Sequence, residues 1–384
     1  MKKYDAVIAG YLCVDLIPGF QKNDSKAGIA DVFRPGKLIE IEGLDFILGG
    51  AVANTGIAMK RFSKKIFLNG ILGDDFIGKI ARERLDNYSL SAGIKTIEGQ
   101  DTAFGIVIAP PGVDRIFLES PGCSKIFDIS HINYDIIAES RLFHFGYPPL
   151  LKKFYQDDGD QLVKMFRHIQ GMNVVTSLDF SLPDAESESG RVNWAEVLRR
   201  VLPFTDIFVP SLEEALLIIM PDEYARIRSC QDNIDIIDKI SFEMIQDLAK
   251  RIIDYGAKIV LIKAGHRGAY LRTGDISSIN KKPGIRLSEE SWNRRDLWCE
   301  ACPVDAAKFK NASGAGDTSA AAFLVSILDS EDPESSLKYA TVAGRNNLYC
   351  NDLYEDLIGW EEMAREIESV RGLGIDLTQR KNNN

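Results

Sequence analysis

The chain has 384 residues, 45% of them apolar and 27% charged, which is ample material for a buried core and too much for global disorder. Its 46 basic and 56 acidic side chains leave a net charge of −10, which repels a phosphate backbone and argues against nucleic acid as a partner. No stretch approaches the roughly 20 apolar residues of a membrane span, and the length fits one large α/β unit, residues 1–384, with a small appendage.

Short β-branched or aromatic runs alternate with helical patterns along most of the chain, which predicts a doubly wound, mostly parallel sheet with crossover helices. Strands are predicted over residues 4–9, 65–68, 141–145, 174–179, 207–209 and 258–262, and helices over 53–62, 76–88, 161–169, 194–201, 212–219, 242–255 and 316–328. Two stretches, about 11–48 and 94–119, read instead as extended segments with turns and no helical period. Both fit a small β-sheet inserted as a lid over the carboxyl edge of the main sheet, where open α/β folds place ligands. An exposed lid edge would let two copies pair as a homodimer. The polar stretches 21–36, 184–190 and 380–384 read as a loop, a connector and a tail. Six scattered cysteines suit a reducing, cytoplasmic setting. Cys299 and Cys302 form a lone CxxC, and with His131, His144, His168 and His266 far apart in the chain they are read as packed thiols rather than zinc ligands.

The sharpest chemical signal is Asn311-Ala312-Ser313-Gly314-Ala315-Gly316-Asp317-Thr318, followed at once by a small-residue helical run. Two glycines before a helix let the backbone turn tightly, so that successive N–H groups converge on one anion with the helix dipole behind them. A carboxylate beside such a turn repels an anion unless it serves as a base, taking the proton of a hydroxyl as that oxygen attacks a phosphoryl group. The same residues also fit a glycine-softened turn with Asp317 as an ordinary first-turn acid. Upstream, Gly49-Gly50-Ala51-Val52-Ala53-Asn54 opens another helix. Its glycines permit close approach of a polar ligand and Asn54 offers both a donor and an acceptor, although a turn with an Asn cap reads equally well. Asp15, just after the first strand, either accepts from sugar hydroxyls or forms a turn.

Taken together, GGAVAN near the start and NASGAGDTSAAAF near the end resemble the paired signatures of PfkB carbohydrate kinases, the ribokinase family, and the likeness runs from about residue 4 to 350. Leu72-Gly73-Asp74-Asp75-Phe76-Ile77-Gly78 and Lys263-Ala264-Gly265-His266-Arg267-Gly268 match two further family motifs. The resemblance implies a ribokinase-like fold and transfer of a phosphoryl group from ATP, with Mg2+, to a primary hydroxyl of a small sugar or sugar acid. It implies Asp317 as general base and the amides of Gly314, Ala315 and Gly316 as an anion hole. Asp15, Gly49, Gly50 and Asn54 would hold the sugar, while Lys263, Gly265 and Gly268 would border ATP.

Departures from the family pattern matter as well. Ser211-Leu212-Glu213-Glu214 aligns with the family's N-x-x-E motif, so Glu214 keeps the acid that organises magnesium while Ser211 replaces Asn. Ser211 also reads as a helix cap with both acids in the first turn, a role compatible with metal binding. Asn311 stands where the family commonly has an Asp that helps bind a monovalent cation; its neutral side chain weakens the hold on a hard cation and argues against potassium activation. Arg345, Asn346 and Asn347, beside the expected adenine position, take no role from the resemblance. Tyr11, Phe104 and Phe117 either stack on a ligand or pack within the lid, and Arg115 either meets a substrate anion or pairs with Asp114 in solvent. Two other functions fit less well: a nucleoside kinase, and a catalytically quiet sugar-binding protein on this scaffold. A dinucleotide oxidoreductase is disfavoured because no G-x-G-x-x-G follows the first strand.

Overall fold

A computed structural model describes residues 2–20, 33–110, 116–230, 234–369 and 375–376. The Asp114–Arg115 pair, the tail 380–384, residues 21–32 of the polar loop and the side chain of Phe117 lie outside the described residues.

The strands are β1 (Tyr4–Gly10), β2 (Cys13–Gly19), β3 (Gly43–Gly49), β4 (Ile66–Gly73), β5 (Ile94–Ile97), β6 (Phe104–Ile108), β7 (Ile116–Ser120), β8 (Ser140–Gly146), β9 (Val175–Leu178), β10 (Ile207–Phe208), β11 (Ile259–Lys263), β12 (Ala269–Thr273), β13 (Asp296–Cys299) and β14 (Ile375–Asp376). Ten of them form one sheet in the order β14-β13-β12-β11-β10-β9-β8-β1-β4-β5. From β5 to β11 neighbours run parallel, whereas β12, β13 and β14 add on antiparallel. The parallel strands are apolar on both sides because helices cover both faces. Ala6 and Ile8 point into one buried cluster and Val7 and Ala9 into the other, as a period of two requires. The first cluster takes in the helices Gly50–Arg61, Ala315–Leu328 and Pro333–Asn347, and the second Lys152–Gln170, Leu212–Ile219 and Phe242–Asp254. This is a doubly wound α/β fold.

A separate four-stranded sheet has the order β3-β2-β6-β7. Its members come from the two stretches without helical period, with one difference: Ile94–Ile97 pairs with β4 at the edge of the large sheet, so the second stretch joins the small sheet only from Phe104. The helix after β8 begins at Lys152 rather than at residue 161, and is interrupted at Gln156–Gly159, where Asp157, Asp158 and Gly159 have positive φ. That Asp-Asp-Gly break hid its first turn from periodicity. Residues 184–190 are a mostly exposed connector, its three acids included, with one inward anchor: Ser189 is buried and its carbonyl accepts from the Trp194 indole at 2.9 Å.

The two sheets join where β1 ends. Gly10 pairs with Gly146 at the end of β8, has φ 128°, and a Cβ there would stand 2.2 Å from the Gly146 carbonyl oxygen. A Cβ on Gly146 would in turn meet that of Ala51 at 2.1 Å. Strand ends and helix start therefore touch backbone to backbone, and the residues just beyond them, Tyr11 and Tyr147, are fixed by that contact. Gly10→Ala should cost about 2–4 kcal/mol through strained φ and a clash with a carbonyl that cannot swing away. Urea unfolding measures it, and an unchanged midpoint would contradict the close approach.

Candidate active site

Asp317 sits in the first turn of the helix Ala315–Leu328, preceded by Gly314 in the left-handed region at φ 75°, ψ 0°. A side chain at Gly314 is disfavoured by that φ and would also be crowded, because Asn54 and Asn347 side-chain atoms lie 3.3–3.4 Å from where a Cβ would stand. The first internal helix bond runs from the Thr318 amide to the Gly314 carbonyl at 2.8 Å, so the amides of 315–317 lie ahead of it; that of Ala315 makes only a long 3.4 Å contact with Ala312. The loop is braced from behind. Asn347 donates to the Ser313 carbonyl at 2.7 Å and accepts from the Thr318 hydroxyl at 2.7 Å. Asn311 accepts from the Ser313 amide at 2.9 Å and donates to the Cys350 carbonyl at 3.0 Å.

The Asp317 carboxylate is buried, 2% exposed, and this burial raises its pKa. Nearby Lys263 and hydrogen bonds from Asn54 and Tyr147 pull the other way. Asn54 donates to Oδ2 at 3.0 Å and the Tyr147 hydroxyl stands 2.8 Å from both oxygens. The asparagine near the front of the chain and the acid near its end thus meet directly.

On the small-sheet side, Asp15 of β2 faces Ile47 of β3 and Gly105 of β6. Cβ atoms on Gly49 and Gly105 would fall 2.7 and 3.1 Å from its carboxylate oxygens, so both glycines leave room for that group. Gly50, at φ 79°, brings the helix start against the Tyr11 carbonyl, 2.5 Å from where its Cβ would stand. Asp15, Asn54, Asn311 and Ser313 line a small cavity of about 40 Å³. Burial, then Glu119 and Asp317, push the Asp15 carboxyl up to about 6. The aromatic residues of this region pack: Tyr11 is buried with its hydroxyl on Glu119, and Phe104 lies against the core.

A second cavity, of about 490 Å³, is bounded by Tyr147, Glu214, Lys263, Gly265, Gly268 and Gly316 among others, with Ala315 also on its wall. Lys263 ends β11 and Gly265–Arg267 form the turn into β12. Gly268, at φ 113°, allows that turn to close on the carbonyl of Cys299. The Lys263 ammonium bonds both oxygens of Asp179, at 2.8 and 3.0 Å, and lies 3.7 Å from where a Gly316 Cβ would stand. Ser211 and Glu214 form a reciprocal capping box, with the Ser211 amide on Glu214 Oε2 at 2.7 Å and the Glu214 amide on Ser211 Oγ at 3.2 Å. Burial pushes Asp179 up to about 6 and Glu214 to about 7; in each case Lys263 opposes the rise, and neighbouring acids add to it.

Asp317 lines neither cavity itself, but its carboxylate bonds Asn54, which borders the smaller, and Tyr147, which borders the larger. Asp15 also borders the smaller cavity, Glu214, Lys263, Gly265, Gly268, Ala315 and Gly316 border the larger, and Gly49, Gly50 and Gly314 shape the turns beside them. Two residues were missed. Asp179 carried the same weak signal as Asp15, an acid at the end of an apolar run. Tyr147 carried none beyond its place in a Gly-Tyr-Pro-Pro turn.

Comparison with known proteins agrees with this architecture. The model of the pfkB family carbohydrate kinases matches residues 10–352. A 5-dehydro-2-deoxygluconokinase of Clostridium perfringens is 22% identical over 361 residues, covering 93% of this chain and 90% of that protein. A probable fructokinase-4 of Arabidopsis thaliana is 32% identical over 101 residues, 26% of this chain and 31% of that protein. Among solved structures, Arabidopsis thaliana ribokinase complexed with ribose and ATP superposes with a TM-score of 0.67 at 16% identity, covering 95% of this chain and 99% of that one. A putative ribokinase II from E. coli in complex with ATP and Mg2+ gives 0.68 at 19% identity, covering 96% and 100%. With the family model spanning both cavities and the sheet between them, the chain belongs to the pfkB family of carbohydrate kinases.

Proposed function

We propose that the chain transfers the γ-phosphoryl group of ATP to a primary hydroxyl of a small sugar or sugar acid. The observation that carries this reading is the buried Asp317 carboxylate at the start of a helix, bonded by Asn54 of the small Asp15 cavity and by Tyr147 of the larger Lys263 cavity. In the step, Asp317 accepts the proton of the sugar hydroxyl, the hydroxyl oxygen forms the new bond to phosphorus, and the bond to the ADP oxygen breaks. The amides at Gly314, Ala315 and Gly316, with the helix dipole behind them, face the charge that spreads over the phosphoryl oxygens. Asp15 and Asn54 hold sugar hydroxyls, and Gly49 and Gly50 let the sugar approach the backbone. Lys263, Gly265 and Gly268 border the nucleotide.

Glu214 suits the magnesium that accompanies ATP. Its capping box uses one oxygen, it lines the nucleotide cavity, and a half-buried acid beside Asp179 is relieved by a nearby cation. Bound there, magnesium would supply charge neutralisation on the phosphates. Asn311 is engaged by Ser313 and Cys350, which supports a kinase that does not need potassium. The names of the relatives, 5-dehydro-2-deoxygluconokinase and fructokinase, support a sugar or sugar-acid acceptor.

The test is coupled detection of ADP with ATP, magnesium and a panel of ribose, fructose, 2-keto-3-deoxygluconate, 5-dehydro-2-deoxygluconate and adenosine. Release above the acceptor-free rate with a sugar or sugar acid is expected. Release with adenosine alone would make it a nucleoside kinase, and none with any acceptor would overturn the assignment. Asp317→Asn should lower turnover by about 10²- to 10⁴-fold while sugar and ATP still bind, as calorimetry would show. Asp15→Ala should instead weaken sugar binding by about tenfold to a hundredfold. Because the folded Asp15 carboxyl titrates near 6, it is ionised above that pH and protonated below. Sugar affinity of the wild type should therefore fall as pH drops through about 6, a step absent from Asp15→Ala; a step that persists in the variant belongs to another group.

A further inference from the structure

Tyr147 follows β8 with its backbone at φ 64°, ψ 49°. That left-handed conformation is costly for a residue with a Cβ, and the proline that follows disfavours α-type conformations there even more. Strain of this kind, of order 1–3 kcal/mol, persists only where the surroundings hold it, and it gathers at functional sites. Here it turns the side chain off the end of the sheet and onto Asp317, where the phenol oxygen lies 2.8 Å from Oδ1 and 2.8 Å from Oδ2. The same side chain forms part of the wall of the nucleotide cavity. It therefore links the acid to the larger cavity.

A phenol has a single proton to donate, and sharing it between two carboxylate oxygens fixes the plane of the carboxylate. Asn54 holds Oδ2 from the opposite element, so the group is gripped at two points. We propose that Tyr147 is a positioning residue for the base: its hydroxyl fixes the plane of the Asp317 carboxylate and leaves a lone pair aimed at the acceptor hydroxyl. This inference rests on the reading of Asp317 as base. The charged groups facing that acid are Lys263 from β11, Asp179 from the end of β9 and Asp15 from β2, while Glu214 from the helix Leu212–Ile219 faces Tyr147. Against desolvation, the Tyr147 bond favours the ionised form, together with Lys263 and Asn54. The phenol itself is held far above its usual titration range by burial and by Asp317, Asp179 and Glu214, so it remains a donor at every working pH.

Tyr147→Phe removes one oxygen and tests the role, assayed with fructose or 5-dehydro-2-deoxygluconate, whichever the panel identifies as acceptor. Turnover should fall by about tenfold to a hundredfold with the sugar KM changed less than about threefold, and the acid limb of kcat should move to higher pH. Installing 3-fluorotyrosine at position 147, a stronger donor of nearly equal size, should move the same limb to lower pH. Turnover and limb unchanged in the Phe variant, while Asp317→Asn is inactive, would overturn this inference and leave the base in place. An active Asp317→Asn enzyme would overturn both. A Phe variant too unstable to assay would leave the decision to the fluorotyrosine enzyme, in which an unmoved limb refutes the role.

Discussion

A largely buried ammonium among three carboxylates is the constraint on which the site rests. Lys263 bonds both oxygens of Asp179, and its field lowers the pKa of Asp179, Glu214 and Asp317, each of which burial pushes the other way. One positive charge cannot balance three negative ones in a poorly solvated space, and Asp179 and Glu214 accordingly remain near 6 and 7. The rest of the compensation comes from dipoles: the start of the helix Ala315–Leu328, the Asn54 amide and the Tyr147 hydroxyl. A phosphate chain brought into this region would add further negative charge. The electrostatics therefore favour a nucleotide that arrives with a divalent cation over a bare one, and this gives Glu214 a reason to lie beside Lys263 even while it caps a helix.

The fold supplies this cluster through its strand ends. Asp179 follows β9, Ser211 and Glu214 follow β10, Lys263 ends β11 and Tyr147 follows β8, so neighbouring parallel strands deliver their next residues to one edge. Asp15 reaches the same place from the small sheet because β1 runs into β2 past the Gly10–Gly146 contact. The close backbone packing at that contact matters for chemistry as much as for stability. A side chain there would part β1 from β8 and shift Tyr11 and Tyr147, and with them the two sides of the Asp317 cleft.

Much of this was legible in the sequence where the signal was local. Gly50 and Gly314 announced tight turns into helices, and both have positive φ. The paired motifs pointed to Asn54 and Asp317, which bond across 263 positions of chain. Legibility failed where identity is ordinary and only a distant partner confers the role. Asp179 is defined by Lys263, 84 residues away, and Tyr147 by Asp317, 170 residues away. The antiparallel strands β12 and β13, of five and four residues, were not among the predicted strands. The helix Pro333–Asn347 did carry a readable start, Asp332 as cap with proline in the first turn, but its mixed face blurred the helical pattern.

Arg345, Asn346 and Asn347, which had no role from sequence, show how the Gly314 turn is held still. Asn347 ties the Ser313 carbonyl to the Thr318 hydroxyl, bridging the turn and the helix that follows it. Asn346 and Arg345, on the same helix, both donate to Glu366 of the helix Trp360–Ser369. Trp360 of that terminal helix stacks on Tyr339 and packs against Phe62, which follows directly after the helix Gly50–Arg61. The turn that carries Gly314 and the helix that carries Asn54 are thereby fastened to a common support. The bond from Asn54 to Asp317 spans two elements whose spacing is set by packing well away from the cleft. A carboxylate aligned to within a fraction of an ångström needs such a frame, because two local turns joined only by their own hydrogen bond would let it drift.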